Sequence, residues 1–217
     1  MVTTDSKDTK ERLLDAAETL FGERGVAAVS VRDITAAADA NIAAVNYHFR
    51  SKDGLLQAAI SRRMEPLNAE RIRLLNLVES AAGDAPLTLE RILSAFVGPT
   101  FHLNRKHPAY IKFIGQLHHE TGALAKGFLA TAQFSELIAR LRSMLSRALP
   151  GADPSSMWWG MSFLIGAMIH TWMKGHEIES MSGGEARYDS DEAMIERLTT
   201  YAAAGLRAMI ITPEVEK

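Results

Sequence analysis

Between Arg32 and Lys52 the chain gathers side chains suited to holding a polyanion rather than to breaking bonds. Arg32 carries a guanidinium that can meet guanine or phosphate with two parallel hydrogen bonds. Asn41 and Asn46 offer amides to base edges or phosphates, and Ala43 and Ala44 are small where a helix backbone would come close. Smallness matters because a major groove is only about 12 Å wide. Tyr47, His48 and Lys52 add a phenol, an imidazole and an ammonium. Such groups fix register on phosphates and carry no base information, and Lys52 stands where a helix N-terminus also attracts phosphate.

Other chemistries find little support. The chain has no cysteine, which excludes a disulfide framework, a thiolate metal site and a cysteine nucleophile, and which fits a reducing cytoplasm. His102, His107, His118, His119 and Glu120 are the metal candidates, but no H-E-x-x-H run or carboxylate–histidine i, i+4 pair occurs. His118 and His119 would point about 100° apart on a helix and could not share one ion from the same turn. No nucleophile–base set or phosphate loop stands out, so neither enzyme activity nor a cofactor is expected. A helical enzyme or a metal-binding bundle is the rival class, and a gel shift against a metal assay and a hydrolase panel separates the two.

Charge is uninformative in bulk. The net charge is −2, and the first 63 residues hold nine basic and nine acidic side chains. An argument for DNA must rest on where charges sit.

The elements that must position these groups read as helices throughout, with no sustained period-2 pattern. Thr9–Arg24 sets Leu13, Ala17, Leu20 and Phe21 on one stripe and ends at Gly25. Ser30 and Asp33 have the spacing of a capping box for a short helix over Val31–Ala37. A break at Ala38–Asn41 precedes a third short helix from Ile42 to Tyr47, and Ser51 can cap a longer one over Lys52–Ser80, kinked or broken at Pro66. Five more follow over Thr88–Leu103, Pro108–Thr121, Leu124–Leu149, Pro154–Ser180 and Asp191–Ile211. Two short helices joined by a tight turn, with a third before them, make a helix-turn-helix head.

Residues 10 to 56 resemble the DNA-binding domain of the TetR family of regulators. The pattern stands here as Leu14-Asp15-Ala16-Ala17, Leu20-Phe21, Gly25, Ser30-Val31-Arg32-Asp33-Ile34, Ala37-Ala38, Tyr47-His48-Phe49, Ser51-Lys52 and Leu55. The resemblance implies an all-α homodimer of about nine helices that binds double-stranded operator DNA as a repressor and releases it when a ligand enters the C-terminal body. By position it implies DNA contacts at Ser30, Arg32, Asn41, Ala43, Ala44, Asn46, Tyr47, His48 and Lys52. The chain departs from the pattern in carrying Asn46 just before Tyr47, which bears on base preference rather than fold. The expected division is a helix-turn-helix domain over 1–52 and a ligand-binding and dimerisation domain over 53–217.

A shorter run, Arg62 to Arg71, is similar to one in TetR-type repressors of fatty-acid and related catabolic genes. It implies an elongated hydrophobic effector such as a fatty acid or its acyl-CoA. Ligand cavities are apolar with a few polar groups, and Phe96, Phe101, Phe113, Phe128, Phe134, Trp158, Trp159 and Met161 are the lining candidates, with ordinary core packing as the alternative for each. Pro154–Met173 contains no Asp, Glu, Lys or Arg. Its serines, His170 and Thr171 shorten the apolar part below what spans a bilayer, so a buried or interfacial helix is expected and no membrane partner. With the last helix it supplies the expected dimer contact: Phe163, Ala167, His170, Met194, Leu198, Tyr201, Gly205 and Met209.

Overall fold

A computed structural model describes residues 3–119 and 132–210, and among them every element is helical. In chain order these are α1 (Thr3–Arg24), α2 (Val31–Ala37), α3 (Ile42–Phe49), α4 (Lys52–Ala82), α5 (Leu89–Lys106), α6 (Pro108–His119), α7 (Ala132–Ala148), α8 (Pro154–Met181) and α9 (Asp191–Ile210). The all-α expectation holds. Glu120, Phe128 and the start of the helix expected from Leu124 lie outside the described residues.

Local chemistry sets the helix ends. Gly25, at φ 79°, closes α1 by donating its N–H to the Phe21 carbonyl at 3.0 Å. Ser30 and Asp33 form the expected capping box at α2: the Asp33 N–H donates to Ser30 Oγ at 3.2 Å, and the Ser30 N–H donates to Asp33 Oδ2 at 2.8 Å. Asn41 caps α3, its Oδ1 accepting from the Ala44 N–H at 2.9 Å. Asp153 caps α8 in the same way from the Ser156 N–H at 3.0 Å. Pro66 does not end α4, which continues through it to Ala82.

The chain divides into two compact units, one of residues 1–66 with 106–134, the other of residues 67–105 with 135–217. The first thus runs past residue 52 and takes in α6. The reason is aromatic packing: Phe21 of α1 meets Phe113 of α6 at 5.5 Å between ring centroids, and Tyr110 stands edge-on to Phe113 at 6.0 Å. The buried Tyr110 hydroxyl donates to the Ile60 carbonyl at 2.9 Å, which satisfies its polar end inside an apolar setting. Gly22 permits this contact, because a Cβ there would stand 3.0 Å from the Ala109 carbonyl oxygen and the Phe113 nitrogen.

The second unit has its own core, in which Phe96 and Phe101 of α5 pack with Leu141 and Met144 of α7, Met161 of α8 and Leu206 of α9. Gly160 lets α8 and α9 approach, since a Cβ at 160 would fall 2.2 Å from a methyl carbon of Leu206. Glu79 of α4 clamps Arg140 and Arg147 of α7, and their hydrogen bonds hold its carboxyl below the usual carboxylate range.

Candidate nucleic-acid interface

α3 is short enough that its two faces separate cleanly. Val45 and Phe49 turn inward and anchor it, while Ile42, Ala43, Asn46 and Tyr47 face out. Tyr47 is 80% exposed, which places its ring outside the core and its hydroxyl free to reach outward. It stands edge-on to His48 at 4.9 Å, and the half-buried His48 leans on Phe49 at 5.9 Å. Arg32 is exposed on α2, and Ala44 is half-buried.

Three of the expected contact residues hold the frame as well. Ser30 Oγ donates to Asp33 Oδ2 at 2.6 Å, so its hydroxyl serves the α2 cap, and those bonds keep the Asp33 carboxyl below its ordinary pKa. Asn41 uses its carbonyl oxygen for the α3 cap, which turns its amide nitrogen to other partners. Lys52, half-buried, donates to the Val26 carbonyl at 2.6 Å and pins the start of α4 to the loop after α1.

Sequence reasoning missed Arg12. Its Nε donates to the Ala38 carbonyl at 3.0 Å and its Nη2 to that of Asp39 at 3.5 Å. Asp39 sits at φ 46° in the turn between α2 and α3, so Arg12 braces the one bend whose angle sets how α3 projects. Asp8 holds Arg12 in turn at 2.5 Å. A polar residue a helix away from the turn gave no local signal for this.

The Arg62–Arg71 run is spent on structure at its start. Arg62 reaches Asp15 at 2.7 Å, Glu11 at 3.1 Å and Glu18 at 3.4 Å, all on α1, and Arg63 meets Glu18 at 3.5 Å. Burial raises the Glu18 pKa while the two arginines oppose that shift. Burial and the same arginines hold the His107 imidazole below its ordinary value. At its end the run supplies a buried cation: Arg71 donates to the Phe96 carbonyl at 2.9 Å, Thr100 Oγ1 at 2.7 Å and Asn68 Oδ1 at 3.2 Å, with its guanidinium 4.2 Å above the Phe96 ring.

The expected pocket residues scatter. Phe96, Phe101 and Met161 share the second unit's core, and Phe101 meets Trp172 edge-on at 6.0 Å. Phe113 instead belongs to the first unit against Phe21, and Phe134 is half-buried. Trp158 and Trp159 are exposed, the former under Arg142 at 5.6 Å.

The expected dimer residues divide likewise. Phe163 is 60% and Tyr201 72% exposed, and Gly205 and His170 also face out. Trp159 lies beside Phe163 at 5.9 Å, which extends the apolar face on α8. Ala167, Met194 and Met209 are half-buried, and Leu198 is buried in the second unit's own core. Among the described residues no group of three or more potential ligands could hold a metal ion, and no helix is long and apolar enough to cross a membrane.

Two family models match the chain, both of the tetR family. The model for bacterial regulatory proteins of the tetR family matches residues 13–59, and the tetracyclin repressor-like C-terminal domain matches 94–205. The probable HTH-type transcriptional regulator YttP of Bacillus subtilis is 37% identical over 57 residues, which cover 26% of this chain but only 28% of YttP. The HTH-type transcriptional regulator UidR of Escherichia coli is 24% identical over 189 residues, covering 76% of this chain and 95% of UidR. A TetR family transcription regulator from Marinobacter aquaeolei shares the fold with TM-score 0.62 at 15% identity, over 94% of this chain and 98% of that one.

Proposed function

The chain belongs to the tetR family of bacterial regulatory proteins, and from that premise we propose that it is a one-component repressor whose homodimer grips operator DNA until a hydrophobic effector binds. The observation that carries the DNA half is the outward row Asn46–Tyr47 on α3, flanked by exposed Arg32 and by Lys52 at the start of α4. In this reading residues 1–52 read DNA. Arg32 and Asn46 meet base edges, Ala43 and Ala44 allow close approach, and Tyr47, His48 and Lys52 hold phosphates. An ammonium has three donors, so the Val26 bond leaves Lys52 two for phosphate. Ser30 and Asn41 contribute from their caps.

Residues 53–217 form the effector and dimer half of the proposal. The exposed apolar side chains Trp159, Phe163 and Tyr201 support a self-association face on α8 and α9. Two such helices per subunit make a four-helix bundle across a two-fold axis. Operator half-sites in successive major grooves lie about 34 Å apart, and a homodimer offers one α3 to each. The apolar core around Phe96, Phe101 and Met161, with the Arg71 cation among them, suits an elongated hydrophobic effector with an anionic end. An effector releases DNA only by preferring the state that does not bind DNA, and DNA must then weaken effector binding by the same factor.

The test is a gel shift with the DNA upstream of the chain's own gene. Titration of that complex with fatty acids, acyl-CoAs, aromatic acids and divalent metals follows, read by anisotropy. Retarded DNA released by an apolar acid is the expected result. Absence of any retardation refutes the DNA half, and release by metal ions alone refutes the effector half.

A further inference from the structure

Ile42 opens the recognition helix and is 44% exposed, although Val45 and Phe49 already supply the apolar anchor of α3. An aliphatic side chain kept in water on a face otherwise given to amides, a phenol and a small alanine gains nothing from folding. Its place is specific. Ile42 and Asn46 are four residues apart and so share one side of α3, separated by about 6 Å along the axis. That is close to two base steps of about 3.4 Å. Ala43 lies beside Ile42, so the first turn of α3 presents two apolar groups outward, and Asn46 one turn later presents an amide.

The major-groove edge of DNA offers one apolar group, the C5 methyl of thymine, and asparagine pairs in two-pronged fashion with adenine. We infer that Ile42 is a specificity-determining residue that packs on the C5 methyl of one thymine in each operator half-site, about two base pairs from the adenine met by Asn46. This deepens the reading of α3 as the DNA-contacting helix and rests on it.

The experiment separates the two. Operator sequences are selected from random DNA with the full chain, and each thymine in the winner is replaced in turn by deoxyuridine, which removes only the methyl. Wild-type affinity falls about four-fold at one thymine per half-site, the loss expected for one buried methyl group. Ile42→Ala binds the parent operator about as weakly as the wild type binds the uracil version, and it shows no further loss with uracil there. Ile42→Val keeps the thymine preference, and equal thermal midpoints show that both variants fold. Uniform tolerance of uracil by the wild type overturns the proposal, as does an unchanged thymine preference in Ile42→Ala, while operator binding itself survives in both cases. Failure of the wild type to enrich any sequence overturns the DNA reading and this inference together.

Discussion

The ammonium of Lys52 lies 2.6 Å from the carbonyl oxygen of Val26, so the first residue of α4 is tied to the loop that leaves α1. Lys52 is half-buried, so the bond makes one side chain a strut, while its remaining N–H donors keep it a cation for other partners. The two roles separate by experiment. Lys52→Ala lowers affinity for all DNA sequences alike and reduces the slope of log affinity against log salt by about one, because one phosphate contact is lost. Its stability falls by no more than about 1 kcal/mol, the net worth of one half-exposed hydrogen bond. Arg32→Ala changes which base pairs are preferred instead. Salt titrations by anisotropy on operator and scrambled DNA read both, and an unchanged slope removes Lys52 from the interface.

The link between α3 and α4 depends on a missing side chain. A Cβ on Gly54 would stand 2.0 Å from the Phe49 carbonyl oxygen, a backbone atom that cannot step aside. Gly54→Ala therefore destabilises the head by about 2 kcal/mol or more and displaces α3. Thermal denaturation and operator affinity fall together. The neighbouring Ser51→Ala, which only removes an oxygen accepting from the Gly54 N–H at 3.0 Å, costs about 1 kcal/mol.

Much of this was legible locally, and the illegible part was long-range. Ser30 and Asp33 are three residues apart, so their spacing alone announces the cap that starts α2. Phe21 and Phe113 lie far apart in the chain, and no periodicity tells a helix which distant aromatic it will meet; hence α6 joined the head unannounced. Ile42 gives no signal in the sequence, because an aliphatic residue at the start of a short helix reads as core until its 44% exposure is seen. In the sequence Arg71 is only the end of a charged run, and its neighbours on α5 are what make it a buried cation. Met194, Leu198, Tyr201, Gly205 and Met209 recur at helical spacing along α9, but that spacing does not say which edge faces its own chain. Leu198 lies on the inner edge and Tyr201 on the outer.

Arg71 is a demanding residue to replace. Phe96, Thr100 and Asn68 each accept a hydrogen bond from it, and its flat guanidinium rests on Phe96. Arg71→Lys cannot reproduce that fork or the stacking. It leaves buried acceptors without donors and costs about 2 kcal/mol, read as a lowered denaturation midpoint. If Arg71 also receives the effector's anionic end, the same variant needs more acyl effector to release DNA while responding unchanged to uncharged apolar compounds. Equal loss for both classes confines Arg71 to a structural role.

The contrast between the outer and inner faces of α8 and α9 gives the sharpest test of assembly. Phe163 and Tyr201 are 60% and 72% exposed within the chain, so a charge there meets water as long as the subunit is alone. Leu198 is 7% exposed and packs in the subunit's own core, so a charge there is buried whether or not a partner is present. Phe163→Glu and Tyr201→Lys should accordingly yield folded monomers with thermal midpoints and circular dichroism near those of an uncoupled subunit, because dimerisation would bury the unpaired charge. Leu198→Glu should fail to fold, losing several kcal/mol of stability by the same penalty applied inside the core. Operator affinity then drops steeply in the folded monomers, since one recognition helix cannot hold two half-sites. Sedimentation velocity at micromolar concentration, run beside denaturation, distinguishes the classes. A wild type that sediments as a monomer, or a Phe163→Glu variant that remains a dimer, removes this face from the interface.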